Sequence, residues 1–550
     1  MPTLQFKGKT FVQNHYLAVK YHQLVPKKEL SLTDKVSLHD NLIIHGDNLK
    51  ALKALLPTYS GKIKCIFIDP PYNTGNEKWM YNDNVNSPMI KEWLGQIVDK
   101  DDLTRHDKWL CMMMPRLKLL KELLAPDGII AETIDDNELF NLGQIMNEVF
   151  GESNILACAP WQAEPSGGKE KTGLRGGHEY VIIYCNGDSS NISQEERSTG
   201  ELNLRDKIGP YRKGRELRKW GGTSLREDRL GQYYPLMTPD GIEVYPIRND
   251  GKEGHWRWGK NNSKILEILK DPDLLHWEKR PYDENISYKG ANERWVPYVK
   301  IRDKKKSIGW STWLDTYGFN SDATRELKEI FGSKVFDTPK PTSLVKWIIS
   351  LHEDEDFIVL DNYAGSGTTA QAVLELNKED GGNRKFILVE QEDYANTITA
   401  ERVRRVIKGV KTAKNENLKN GLGGTFSYFE LGETIELENL LRGKNLPSFT
   451  EFARYLFYTA TGEEFSEKVI NETSGFIGES KNYEVYLIYQ PDIEWLKRNA
   501  LTLEICQALP KFNGKQRLVF APCKYVDDHT CLEYRIDFCQ LPYEIYRIQK

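Results

Sequence analysis

The segment Ile63-Lys64-Cys65-Ile66-Phe67-Ile68-Asp69-Pro70-Pro71-Tyr72 begins with six residues dense in branched and aromatic side chains. Such a run predicts a strand buried on both faces, of the kind found in parallel sheets covered by helices. Two prolines then end the strand, fix the backbone and remove two N–H donors. What remains facing outward is the Asp69 carboxylate, the Pro70 carbonyl and the Tyr72 ring. That set suits a planar amine, with Asp69 and the Pro70 carbonyl accepting from its amino group while Tyr72 stacks on its ring. The plainer alternative is a proline turn with an N-cap-like aspartate.

The same rhythm continues on both sides. Leu42-Ile43-Ile44-His45 predicts a short strand, 47–56 a helix, 109–124 a helix stopped by Pro126-Asp127-Gly128, 129–134 a strand, 138–150 a helix and 180–184 a strand. It resumes with a helix over 343–351, the strand Phe357-Ile358-Val359-Leu360-Asp361, a Gly-rich turn, a helix to 377, a strand over 386–390 and a helix over 397–407. Alternating strands and helices predict an α/β fold with a doubly wound, mostly parallel sheet. Between the two runs, over 186–333, Gly, Pro, Trp and Arg dominate and the alternation fails; its many aromatics argue for a folded insertion of strands and loops rather than disorder. The tail carries alternating strands such as Tyr483-Glu484-Val485-Tyr486-Leu487-Ile488-Tyr489. The expected division is an N-terminal arm (1–38), two parts of one α/β domain (39–185 and 334–430), the insertion (186–333) and a C-terminal α+β domain (431–550).

In open α/β sheets, ligands bind beyond the carboxyl ends of the strands. A second such end is Asp361-Asn362-Tyr363-Ala364-Gly365-Ser366-Gly367-Thr368-Thr369, where glycines let backbone approach a ligand at the start of a helix. No lysine follows as in a P-loop, so a triphosphate is not the expected ligand. Glu390 ends the next strand, about twenty residues on, where an acid can hold both hydroxyls of a ribose. Together they favour a nucleoside cofactor, against the alternative of a tight turn with no ligand.

A length of 550 residues implies several domains. With 39% hydrophobic and 28% charged residues, and no apolar run long enough to cross a bilayer, a membrane-spanning protein is not expected. Met1 to Thr10 lack the pattern of a secretory signal, so a cytoplasmic protein is expected. The eight cysteines form no Cys-x-x-Cys pair and read as reduced thiols, with Cys65 and Cys185 in the core. No metal site is expected: His352-Glu353-Asp354-Glu355-Asp356 reads as a solvated acidic turn and Asp135-Asp136 as a helix start. The net charge of -5 argues against a polyanion partner, yet it hides two basic stretches. Residues 201–230 hold nine basic and five acidic side chains, and 289–306 seven and two. Both are interleaved with aromatics (Tyr211, Trp220, Trp295, Tyr298), a mixture suited to phosphate contact and base stacking, or else to a solvated basic face.

With Asp69 to Tyr72 followed by Asp361 to Thr368, the chain resembles the amino-methylating DNA methyltransferases that use S-adenosylmethionine. It resembles in particular their permuted β group, in which the catalytic motif precedes the cofactor motif and a target-recognition domain lies between. Gly46-Asp47 and Thr338-Pro339-Lys340-Pro341 match further motifs of that family, while Tyr363 stands where the family commonly has Phe. Asn73-Thr74-Gly75 and Phe457-Tyr458-Thr459-Ala460-Thr461-Gly462 look most like the modification subunits of type III restriction systems. The resemblance implies a Rossmann-like methyltransferase fold and methylation of adenine N6 in duplex DNA by base flipping, with Asp69, Pro70, Pro71 and Tyr72 as the catalytic group. It implies that S-adenosylmethionine is held by Asp47, Asp69, Lys340, Asp361, Tyr363, Ala364, Gly365, Ser366, Gly367, Thr368 and Glu390. Arg212, Lys213, Arg215, Arg218, Lys219, Arg294, Lys300 and Arg302, inside the recognition insertion, become the candidates for DNA contact. A homodimer and a restriction subunit are the implied protein partners. Methylation of cytosine N4, action on RNA and a non-catalytic DNA-binding subunit remain as alternatives.

Overall fold

In the computed structural model, which describes residues 3–74, 105–167, 170–171, 173–435, 446–463 and 465–541, the apolar segments of both flanks pair into one nine-stranded sheet. In chain order its strands are β1 (His22–Pro26), β2 (Leu42–His45), β3 (Ile63–Ile68), β4 (Leu124–Ile134), β5 (Ile155–Gln162), β6 (His178–Cys185), β7 (Ile358–Asp361), β8 (Lys385–Glu390) and β9 (Ser427–Thr434). Their spatial order is β1-β9-β2-β8-β7-β3-β4-β6-β5. The six strands from β9 to β4 are parallel, and β1 and β6 run against their neighbours. On one side of the middle β7 lies beside β8, and on the other β3 lies beside β4. β7 and β3 themselves, far apart in sequence, are paired Val359 to Cys65 and Leu360 to Ile66. The strand order reverses there, which opens a crevice at the carboxyl ends of those two strands.

The helices that cover the sheet are α1 (Asn48–Tyr59), α2 (Arg105–Leu123), α3 (Leu139–Phe150), α4 (Asn320–Phe331), α5 (Thr342–Ser350), α6 (Thr368–Asp380) and α7 (Glu401–Lys408). Ile66, Ile68 and Leu360 are fully buried in one cluster with Leu52 of α1 and Met113 and Leu120 of α2. Each such side chain contributes roughly 1.5–3 kcal/mol by leaving water. The single helix expected over 397–407 is broken: Asn396–Ala400 forms a wider, π-type turn before α7 begins. The wide turn brings the Thr399 hydroxyl to the Gly365 carbonyl at 2.6 Å, and such bulges commonly mark functional sites.

The chain forms two compact units, one of Met1–Ser193 with Ser311–Lys550 and one of Gln194–Trp310. Where the insertion was expected over 186–333, residues 186–193 and 311–333 therefore group with the sheet, and α4 among them reaches its cleft. The second unit has its own antiparallel sheet, in the order Leu204–Arg205, Pro210–Glu216, Glu293–Ile301, Leu275–Pro281, and its own core around Leu217, Trp256 and Ile265. The expected N-terminal arm supplies β1. In the tail, α8 (Phe449–Thr461) shares the core of α1 through Phe452 and Leu456. Beyond it lies a four-stranded sheet, Phe476–Glu479, Tyr483–Leu487, Gln516–Ala521 and Ile536–Gln540, with the last three parallel.

Candidate active site

The two strand ends singled out in the sequence open into one cavity of about 720 Å³. Its lining includes Asp69, Pro70, Pro71, Tyr72, Lys340, Asp361, Tyr363, Ala364, Gly365, Ser366 and Thr368, with Glu179, Asn320, Phe336, Tyr394 and Ile398. Asp47, Gly367 and Glu390 are not among the residues of that lining. Asp47 caps α1, accepting the Lys50 amide at 3.0 Å. Glu390 accepts the Gly365 amide at 2.7 Å and the Glu392 amide at 3.0 Å, so it shapes the glycine turn from below.

Asp69 directly follows β3. Three donors converge on its Oδ1: the Thr133 hydroxyl at 2.5 Å, the Lys340 ammonium at 2.9 Å and the Tyr72 hydroxyl at 3.0 Å. Among the described residues no donor reaches Oδ2. The Pro70–Pro71 turn is pinned from outside by the Trp109 indole, which donates to the Pro71 carbonyl at 2.7 Å. Asn73 closes the turn with φ of 55°, a conformation asparagine tolerates, and its amide donates to buried Glu138. Gly75 of the Asn-Thr-Gly match lies outside the described residues. Tyr72 also reaches Glu179 of β6 at 2.8 Å, and Lys340 lies 4.8 Å from the centre of the Tyr72 ring. Burial, with the charges of Asp69 and Glu179 alongside, keeps the Tyr72 phenol well above its ordinary pKa. Burial opposes the Lys340 charge, but Asp69 and Glu179 more than offset it, and its pKa is raised. On the neighbouring strand Glu132 is fully buried, and among the described residues neither of its oxygens has a hydrogen-bond partner; burial, with the Asp69 charge, pushes its carboxyl well above the usual range.

At the end of β7 the Asp361 carboxylate accepts the Tyr363 amide at 3.0 Å and the Thr369 hydroxyl at 2.5 Å. Burial nonetheless pushes it up to about 7, and Glu390 likewise to about 7. Gly365 and Gly367 have φ of 51° and 82°, and a Cβ on Gly367 would meet the Thr399 carbonyl at 3.1 Å. Only glycine fits that approach without strain. Arg402, 1% exposed, braces the turn by donating to the Ser366 hydroxyl at 2.9 Å and the Thr368 hydroxyl at 2.8 Å. The resulting wall, bare backbone and hydroxyls facing the Phe336 and Tyr394 rings at 5.6 Å from one another, fits a nucleoside carrying a flat base and a polar tail.

Glu179, Thr133, Asn320 and Arg402 went unmarked in the sequence. Arg402 had a signal, since it precedes Val406 by one helical turn on a buried face; the other three act through strand and helix neighbours that no local motif encodes. Of the basic candidates in the second unit, Arg215 is exposed, and Arg212 and Lys219 are half-buried. Lys213 pairs with Glu278 at 2.7 Å, and Lys300 and Arg302 both pair with Asp206, at 2.5 and 2.6 Å. Arg218 is 3% exposed against Glu216, and Arg294 donates to Asn249. Tyr211 and Tyr298 are buried, so of the four aromatics marked there Trp220 is the one with an exposed ring. At the far end of the sheet His352, Asp127 and Asp354 cluster, but the Lys64 ammonium already bridges both carboxylates, at 3.0 and 2.5 Å. No helix among the described residues is long and apolar enough to cross a membrane.

Sheet and cleft define the class: a doubly wound α/β protein with a ligand site at its switch point. The chain belongs to the DNA methylase family, whose sequence profile matches residues 63–401. It is 30% identical over 487 residues to the type III restriction-modification enzyme EcoPI Mod subunit of Escherichia phage P1, covering 77% of this chain and 72% of that one. The StyLTI Mod subunit of Salmonella typhimurium is 30% identical over 539 residues, 89% of this chain and 77% of its own. The type II methyltransferase M.KpnI of Klebsiella pneumoniae is 34% identical over 377 residues, 66% and 82% of the two chains. Among solved structures, the complex of M1.HpyAVI with SAM covers 66% of this chain and 98% of its own at 13% identity, with a TM-score of 0.29.

Proposed function

We propose that the protein transfers a methyl group from S-adenosylmethionine to the N6 amino group of adenine in duplex DNA. It acts in the cytoplasm as the modification and recognition subunit of a restriction-modification system, as a homodimer that a restriction subunit joins. The observation that carries the reading is the shared cavity: an acceptor set for a planar amine and a glycine turn for a nucleoside open into the same space. The Mod subunits among the relatives support the restriction-modification setting.

S-adenosylmethionine supplies the methyl group as a sulfonium. The protein's part is positioning and electrostatics. An adenine amino nitrogen is a poor nucleophile because its lone pair is delocalised into the ring. Asp69, with Oδ1 held by the Thr133 hydroxyl and the Lys340 ammonium, offers Oδ2 to one amino hydrogen, and the Pro70 carbonyl takes the other, favouring a pyramidal nitrogen. Tyr72 stacks on the base once it has left the duplex, and stacking of about 1–3 kcal/mol offsets much of the few kcal/mol that flipping costs. Tyr363, Ala364, Gly365, Ser366 and Thr368 hold the cofactor, with Asp361 at the strand end. Phosphate contact falls first to Arg215, exposed on the Pro210–Glu216 strand, with Arg212 and Lys219. Methylation-sensitive sequencing of DNA from cells expressing this chain alone should show N6-methyladenine in one fixed motif. Modified cytosine, or no modified base, would refute the assignment.

A further inference from the structure

Asp69 does not set the charge of the cleft. The Lys340 ammonium lies 2.9 Å from Asp69 Oδ1 and 3.5 Å from Glu179 Oε2, and the side chains of the lysine and of Glu179 are 8% and 16% exposed. Asp69 and Lys340 together sum to zero, and the Tyr72 phenol is neutral. Among these four side chains Glu179 takes the sum to -1; elsewhere in the lining Lys334 and Asp337 pair at 2.7 Å and cancel, and burial holds Asp361 toward its neutral form. A buried lysine needs one counter-ion and has it in Asp69, so a second carboxylate beside it adds a desolvation cost without a structural return. Glu179 is nevertheless held in place, accepting from the Tyr72 hydroxyl at 2.8 Å and the Asn320 amide at 3.4 Å. Tyr72 has a single proton to give. Its shorter contact is to Glu179 rather than to Asp69, at 3.0 Å.

We propose that Glu179 is a positioning residue that keeps one uncompensated negative charge in the cleft, so that a cationic methyl donor is preferred over its neutral product. The inference rests on the methyl-transfer reading. During transfer the carbon–sulfur bond breaks with its electrons left on sulfur and the nitrogen–carbon bond forms. The positive charge passes to the amino nitrogen and departs as a proton to water. Until that proton leaves, the cleft holds one positive charge, and a fixed negative group in a site poor in water stabilises it at each stage.

Glu179→Gln keeps the size and an acceptor for Tyr72 while bringing the sum to zero. Adding Lys340→Met leaves Asp69 alone and returns the sum to -1. Calorimetry on each variant gives the affinities for S-adenosylmethionine and for S-adenosylhomocysteine, which lacks the sulfonium charge and so reports on an intact site. The preference for the sulfonium should fall about tenfold in Glu179→Gln and return in the double variant. Methyl transfer to unmethylated genomic DNA should fall about a hundredfold in the single variant and recover at least about tenfold in the double. An unchanged preference in Glu179→Gln, or a double variant no better than the single, overturns the inference. A wild-type chain that methylates no DNA would sink the functional reading instead, while the binding preference would still report on Glu179.

Discussion

Asp69 presents one filled and one open oxygen, and that asymmetry predicts how its variants behave. Asp69→Asn puts a donor where an acceptor is needed and strips Lys340 of its near counter-ion; Asp69→Ala removes the acceptor outright. Single-turnover methyl transfer should drop by about 10²–10³ in both, and calorimetric binding of S-adenosylmethionine should weaken about tenfold as the cleft loses a negative charge. The other two strand-end acids predict a pH dependence. Asp361 and Glu390 are raised to about 7 by burial, so the folded protein favours their protonated forms. Their contribution to stability is complete below the ordinary carboxylate range and is lost as pH rises through about 7. Thermal unfolding of the ligand-free protein should show this decline between about pH 4 and 8. Binding of S-adenosylmethionine should run the opposite way, tightening as the pH climbs from 6 to 8 and both acids ionise. These acids were legible in the sequence because each ends an apolar strand beside a turn. Glu179 was not, because its meaning depends on an antiparallel strand that lies beside β4 only in the folded sheet.

The glycine turn shows what an element demands of its residues. Gly367 sits at φ of 82° within 3.1 Å of the Thr399 carbonyl for any added Cβ. Gly367→Ala should therefore lower stability by about 1–2 kcal/mol, read as a lower melting temperature, and should weaken cofactor binding as the turn shifts. The turn and the strand before it could be read from nine consecutive residues, since their geometry is local. The break before α7 could not. Nothing in Asn396–Ala400 announces a wide turn until Gly365 is there to receive Thr399. The basic stretches of the second unit fall between these cases: their sequence shows charge but not pairing. Asp206, Glu216 and Glu278, scattered along the unit, pair with half of the marked cations in the fold.

At the scale of the molecule, the compact unit Gln194–Trp310 interrupts the sheet-forming chain without contributing a strand to the sheet. Replacing residues 194–310 with the corresponding unit of a relative should change the methylated motif and leave calorimetric binding of S-adenosylmethionine as it was. DNA affinity in either protein should fall linearly in log–log terms with salt, and Arg215→Ala should lower that slope by about one. The order of the central sheet has a bearing on how the chain is made. β9 lies between β1 and β2, so the first two strands to leave the ribosome are never neighbours. They bracket a vacancy that stays open until Ser427–Thr434 emerges, about 380 residues after His45. At ordinary synthesis rates of about 5–20 residues per second, the nascent protein spends roughly 20 to 80 s with two unpaired strand edges waiting for a partner. Over that interval solubility rests on whatever shields those edges, which makes the finished enzyme's yield a property of its translation as well as of its fold.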